Sequence, residues 1–249
     1  MEKIVFRVII VAGVCCLSAK HVHIQKYISW ADARKYCQAN FINLSPLTSQ
    51  LEEQVFRDTM GEEGIRGWIG LYWDQVNSSW KWSGGDIFRS WTDIYKDMNS
   101  DDKLPADNLP KANNILWTRN KWISLDGTST HRFFCLNLTA VQQEKTWEEA
   151  LEHCNENHSN FTSLLSKTEN LLAMNEINKT GINEPVWIGL RYLGDRWLWL
   201  NGDPLVYQAW SQRGDQDQLC PVTRRCGALT KNGTWENRDC QEKLPFICA

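Results

Sequence analysis

Residues 233–240 read GTWENRDC, which sets a carboxylate, Glu236, beside an amide, Asn237, between a tryptophan and a cysteine. Two hard oxygen donors in a row suit a divalent cation, which gathers six to eight oxygens, several of them charged. They equally suit a polar turn. A second oxygen-rich stretch, RGDQDQLCP from Arg213, carries Asp215, Gln216 and Asp217, and a third holds Asp101, Asp102 and Asp107. A run of acids alone reads as a solvated loop. Arg213-Gly214-Asp215 matches a tripeptide that integrins read, a use that requires an exposed loop tip. His21 and His23 alternate as strand residues do; a copper or zinc role is the sharper reading and plain surface residues the blander one.

Catalytic chemistry finds no foothold. The chain contains no HExxH, no GxSxG, no phosphate-cradling glycine loop and no cysteine with an evident base. Glu148 and Glu149 are adjacent acids, but they fall in a helix's first turn, where carboxylates favour the dipole without reacting. No enzyme is expected and no catalytic residues are assigned.

The elements that must position these groups come from a globular chain of 249 residues, 42% hydrophobic and 23% charged, with 14 tryptophans. Net charge is +1 over residues 1–19, 0 over 20–137 and −4 over 138–249. No segment carries the basic footprint that a phosphate backbone demands, so nucleic acid is excluded as the expected partner. Lys3 and Arg7 precede an apolar run from Val8 to Leu17 and small residues at Ser18 and Ala19. That layout predicts a secretory signal over residues 1–19 and a secreted, extracellular product with no membrane span. Seven N-x-[ST] sequons, at Asn43, Asn77, Asn137, Asn157, Asn160, Asn178 and Asn232, predict a glycoprotein. Beyond the signal seven cysteines remain, and their long spacings in an exported chain predict disulfides rather than zinc. An odd number leaves one over.

An internal repeat organises the rest. SWADARKYC (29–37) matches TWEEALEHC (146–154), each a capped amphipathic helix with its cysteine on the buried face. GWIGL (67–71) returns as VWIGL (186–190), WKW (80–82) as WLW (197–199), Trp91 as Trp210 and FFC (133–135) as FIC (246–248). Duplication follows, with insertions confined to one loop region. Each unit reads as a strand, a capped helix, a second helix starting near Ser49 or near Ser166, then short antiparallel Trp-rich strands turned at SGGD (83–86) and NGDP (201–204). The predicted class is α+β, twice, over residues 20–137 and 138–249.

The ordered set W-x-x-A-x-x-x-C, WIGL, WxW, a tryptophan with cysteine five residues on, and F-I-C resembles the C-type lectin-like domain, and tandem copies resemble the mannose-receptor group. The resemblance implies an end-to-end disulfide in each unit, Cys37 with Cys135 and Cys154 with Cys248. It also implies an inner bridge, Cys226 with Cys240, that pins an irregular upper loop in the second unit. Asn113 and Gly127 take the corresponding places in the first. Cys220 is left over; a bridge to a second chain, a free or capped thiol, and a swap onto Cys226 all stay open. Calcium-dependent members place Asn-Asp directly after the late tryptophan, and a glutamate two residues before the third cysteine. Here Trp122 is followed by Ile123 and Ser124, with Lys111 at the glutamate position; Trp235 is followed by Glu236 and Asn237, with Arg224 at that position. A guanidinium there repels a dication. No metal site is assigned, Asp217, Glu236 and Asn237 being the weak candidates, and no cofactor is expected.

The function that follows is recognition of a glycan or glycoprotein by the upper loops, with little or no calcium. Asp215, Gln216, Asp217, Glu236, Asn237 and an exposed Trp117 are the expected ligand-binding residues; Trp73 and Trp80 are lesser aromatic candidates. The alternatives are a calcium-dependent sugar site in the second unit, and a protein-binding module dimerised through Cys220.

Overall fold

The computed structural model describes residues 20–60, 64–88, 113–157, 159–203, 205–211 and 221–249. The expected signal segment, Trp91, the Asp101, Asp102 and Asp107 run, the RGD tripeptide, Asp215, Gln216, Asp217 and Cys220 lie outside these residues.

The first unit runs β1 (His21–Ile28), α1 (Trp30–Asn40), β2 (Asn43–Leu44), α2 (Gln50–Met60), β3 (Arg66–Asp74), β4 (Ser79–Trp82), β5 (Asn114–Thr118), β6 (Trp122–Leu125) and β7 (His131–Leu136). The second runs β8 (Thr139–Lys145), α3 (Trp147–Glu156), α4 (Lys167–Thr180), β9 (Val186–Leu193), β10 (Arg196–Trp199), β11 (Cys226–Leu229), β12 (Trp235–Arg238) and β13 (Leu244–Cys248). The two sheets have one order, β1-β7-β3-β5-β6 and β8-β13-β9-β11-β12, with β4 on β3 and β10 on β9. Sequence reading expected antiparallel sheets throughout. One pairing in each is parallel, Trp68 against Phe133 and Trp187 against Phe246, so both sheets are mixed. The intervening strands bring β7 and β13 back alongside β3 and β9 in the same direction.

The repeated residues are backbone anchors. Ser29 caps α1 by accepting from Asp32 N, but aspartate is a methylene short of the reciprocal bond, and Ser29 Oγ instead donates to its carboxylate at 2.7 Å. In α3, Glu149 is long enough: it accepts from Thr146 N at 2.9 Å, which completes the box and holds its carboxyl below the usual range. Trp30 Nε1 donates to Ile69 O and Trp147 Nε1 to Ile188 O, while Trp68 donates to Ile28 O and Trp187 to Lys145 O, so each indole locks a helix or edge strand to the central strand. The glycine of each WIGL is forced by close approach: a Cβ on Gly70 would stand 3.0 Å from Leu44 O, and one on Gly189 2.9 Å from Phe161 O.

Both end-to-end disulfides form, Cys37–Cys135 and Cys154–Cys248, and so does the inner Cys226–Cys240. The Cys220–Cys226 swap is thereby overturned. The hairpin turns need correction. The β3–β4 turn spans residues 75–78, with Ser78 at φ 46°, and the β9–β10 turn is Gly194-Asp195, at φ 55° and 62°. SGGD follows β4 and folds it back only as far as a single Lys81–Ile87 bridge. NGDP lies beyond β10.

The units pack on each other. Ile42, Leu136 and Leu138 join the apolar cluster of Leu165, Leu172 and Ile177, and a Cβ on Gly84 would stand 2.8 Å from Thr168 Cγ2. Across the contact Lys20 Nζ lies 2.7 Å from the buried Glu169 carboxylate. The equally buried Glu52 faces Glu169, which raises its pKa well above the ordinary value, through burial first and the neighbouring carboxylate second. The two glutamates hold equivalent places, each accepting from a backbone N–H four residues earlier, Thr48 and Leu165. No described helix is long and apolar enough to cross a membrane.

Candidate functional site

Glu236 and Asn237 lie on strand β12, paired with Ala228 and Gly227 of β11. The polar-turn reading is therefore corrected: the turn falls earlier, at residues 230–234, where Gly233 N bonds Thr230 O. Trp235, fully buried ahead of them, donates Nε1 to Asn170 Oδ1 at 2.7 Å and packs edge-on against Trp199, Tyr207 and Trp210. A rigid aromatic base thus fixes where the next side chains emerge. The first of them, Glu236, is occupied: Arg238 Nε and Nη2 both donate to its Oε2, at 3.1 and 2.9 Å, while Arg238 Nη1 reaches Glu242 at 3.2 Å. This is a charge-assisted fork on the carboxylate that a cation would require. Cys226–Cys240 clamps the hairpin's base, and Arg225 Nε donates to Pro221 O.

Among the described residues the donors for a calcium ion are incomplete. Arg238 engages the charged oxygen donor that directly follows Trp235, Arg224 stands exposed where the resemblance calls for a glutamate, and Ile123 offers no oxygen side chain after Trp122. No group of three or more His, Cys, Asp or Glu side chains converges among the described residues. Whether Asp215, Gln216 and Asp217 join Glu236 and Asn237 lies outside those residues.

Trp117 must be corrected. It is 1% exposed, packs edge-on against Phe56 and Phe134, and donates Nε1 to Glu53 Oε1 at 3.0 Å. No sugar can stack on it. It is core, and Glu53 in turn is held by Arg57 at 2.7 Å. Trp73 and Trp80 do remain half-buried, edge-on to one another at 5.7 Å. His21 and His23 are packed rather than plain surface: His21 is buried with Nδ1 3.0 Å from Ser45 Oγ, and His23 stacks on Phe134 at 4.6 Å. Burial lowers the pKa of both. Of the sequons, Asn43 is buried and bonded to Ser83 O, whereas Asn77, Asn157, Asn160, Asn178 and Asn232 are exposed.

The strand register also moves one equivalence. Ala228 pairs with Trp187 as Leu116 pairs with Trp68, so Cys226 matches Asn114, not Asn113; the β11–β12 turn is one residue longer than the β5–β6 turn. Trp30 N bonds Gly127 O as Trp147 N bonds Cys240 O. Asn114 Oδ1 would clash with a Cβ on Gly127, so the asparagine fills the volume that the second unit gives to its inner disulfide.

Sequence reading missed a cleft of about 390 Å³ between the units, lined by Trp82, Asp86, Ile87, Lys167, Val206 and Tyr207, with Lys167 3.5 Å from Asp86. One wall comes from residues 82–87 and the other from residues 167–207, and only the packing of the two units reveals it.

Against known proteins, the chain is 22% identical over 259 aligned residues to the bovine (Bos taurus) secretory phospholipase A2 receptor, covering 89% of this chain and 17% of the relative. It is 31% identical over 111 residues to the human (Homo sapiens) C-type mannose receptor 2, covering 43% of this chain and 7% of the relative. The chain therefore spans about a sixth or less of these relatives' length. Among solved structures it resembles human lithostathine, at 28% identity and a TM-score of 0.41, covering 45% of this chain and 88% of that one. The Lectin C-type domain family matches residues 26–137 and again 143–249. With both sheets, both capped helices and both end-to-end disulfides in place, the chain belongs to the C-type lectin domain family.

Proposed function

We propose that this chain is a secreted, glycosylated pair of recognition domains, 20–137 and 138–249, that binds a glycan or glycoprotein without catalysis and with little or no calcium. The ligand meets the upper loops of the second domain, through Asp215, Gln216, Asp217, Glu236 and Asn237. Membership of a lectin family and likeness to a relative named as a mannose receptor support the sugar. The observation that carries calcium independence is the Arg238 fork on Glu236: a dication there would have to share the carboxylate with a guanidinium that already neutralises it through two bonds to Oε2. A glycan array run with calcium and again with chelator tests this. Equal signal in both is expected; signal lost with chelator would favour a calcium-dependent site instead.

A second reading rests on one count. Cys37, Cys135, Cys154, Cys226, Cys240 and Cys248 are all consumed in disulfides, leaving Cys220 no intramolecular partner in the mature chain. A protein-binding module dimerised through Cys220 would run as a dimer on a non-reducing gel and as a monomer after Cys220→Ser.

A further inference from the structure

The three strand ends β1, β3 and β7 meet at a pocket of about 270 Å³ lined by Tyr27, Gly64, Arg66, His131 and Arg132. The register brings them together: Ile28 opposes His131, and the parallel β3–β7 pairing at Trp68 and Phe133 places Arg66 beside His131. Arg132 lies over the Tyr27 ring, 5.3 Å from its centroid, and Tyr27 as a whole remains 60% exposed. Among the described residues neither Arg66 nor Arg132 has an acidic partner, and Arg132 Nε is buried with no hydrogen-bond acceptor. The cations also act on each other. His131 has its pKa lowered by burial and then by Arg66; His23 is lowered by burial, partly offset by a hydrogen bond to the Arg66 backbone, and lowered again by Arg132. Glu62 and Glu63, the nearest acids in sequence, lie outside the described residues.

The second domain is an internal control. Lys145 opposes Leu244 as Ile28 opposes His131, so the positions of Tyr27, Arg66, His131 and Arg132 hold Glu144, Pro185, Leu244 and Pro245. One acid and three uncharged residues build the same three strand ends, so the fold does not need cations there. Collecting like charges costs free energy unless an anion joins them.

We propose that this pocket is an anion subsite for a sulfate or phosphate ester on a sugar, distinct from the loops of the second domain. Two guanidinium groups offer forked donors to a tetrahedral oxyanion, and the open face of Tyr27 receives the sugar ring that bears it.

Calorimetric titration with a sulfated heparin disaccharide, with mannose 6-phosphate, and with the unsulfated disaccharide tests the proposal. Binding of at least one ester, at least about tenfold stronger than the unsulfated sugar, is expected, and whichever ester binds identifies the source. R66Q/R132Q should weaken it at least about tenfold, with circular dichroism and tryptophan fluorescence unchanged. R224Q/R225Q, beside the second domain's loops, should leave it unaltered. In the wild type, ester binding should raise the His131 imidazole pKa followed by NMR, as a nearby anion stabilises the charged ring. Ester and unsulfated sugar binding alike, or R66Q/R132Q titrating like the wild type, would overturn the proposal, whatever the glycan array gives.

Discussion

At matching places in their sheets the two domains solve one packing problem with different chemistry. Where β5 of the first carries Trp117, donating to Glu53, β11 of the second carries Leu229, and the indole of Trp235 supplies the donor instead, to Asn170. Where the first has Asn114 against Gly127, the second has Cys226–Cys240. Where the first has Leu125 opposite Asn114, the second has Arg238, free to grip Glu236. Residues that touch backbone stayed alike, namely the helix caps, the WIGL glycine and the indoles that reach a carbonyl, and so did both end-to-end disulfides. At the three sites just compared, side chains that touch other side chains changed together, in compensating pairs.

The largest break in that comparison should come from Trp117→Ala. It empties a core site and strips Glu53 of a donor, and large-to-small changes of this kind cost about 3–5 kcal/mol. Trp117→Leu, which imports the second domain's residue without its Trp235–Asn170 partner, should recover only part of the loss in urea titrations. Next is Cys226→Ala with Cys240→Ala. Closing a loop of 14 residues is worth about 3 kcal/mol in the chain-entropy account. Calorimetry should show the second domain's transition fall while the first, already without this bridge, holds. The smallest effect is on a slope. Glu52 has its folded pKa raised, so its contribution is fully present below its unfolded value near 4.5 and is lost as pH rises through the folded value. Glu52→Gln should flatten that part of the pH dependence of stability between acid and neutral conditions. A slope identical to the wild type's would separate Glu52 from the domain contact.

Much of the architecture was legible because its signals are local. A cap, an amphipathic turn and a WIGL strand each declare themselves within ten residues, and their recurrence supplied the tandem order. What failed depended on register. Trp117 looked like a spare aromatic because nothing nearby marks it as core; Asn114 to Trp117 are all buried, so strand alternation carries no information there. Asn114 was missed for Asn113 because a single extra residue in a distant turn shifts every equivalence before it. The SGGD and NGDP motifs drew the hairpin reading away from Gly194-Asp195, whose left-handed pair makes the tighter turn. Of the candidate site, the position of Glu236 after a buried tryptophan could be read, but its partner two residues on could not, since only a strand puts residues i and i+2 on one face. The strand-end pocket was less visible still, its lining spread from residue 27 to residue 132.

The end-to-end bridge has a bearing on resistance to proteolysis. The tip of the β3–β4 turn is open to solvent, with Val76 91% exposed, and it lies within the ring that Cys37–Cys135 closes. A protease that cuts there opens a ring rather than severing a chain. Both pieces stay covalently joined, and their sheet neighbours keep them in place until a reductant arrives.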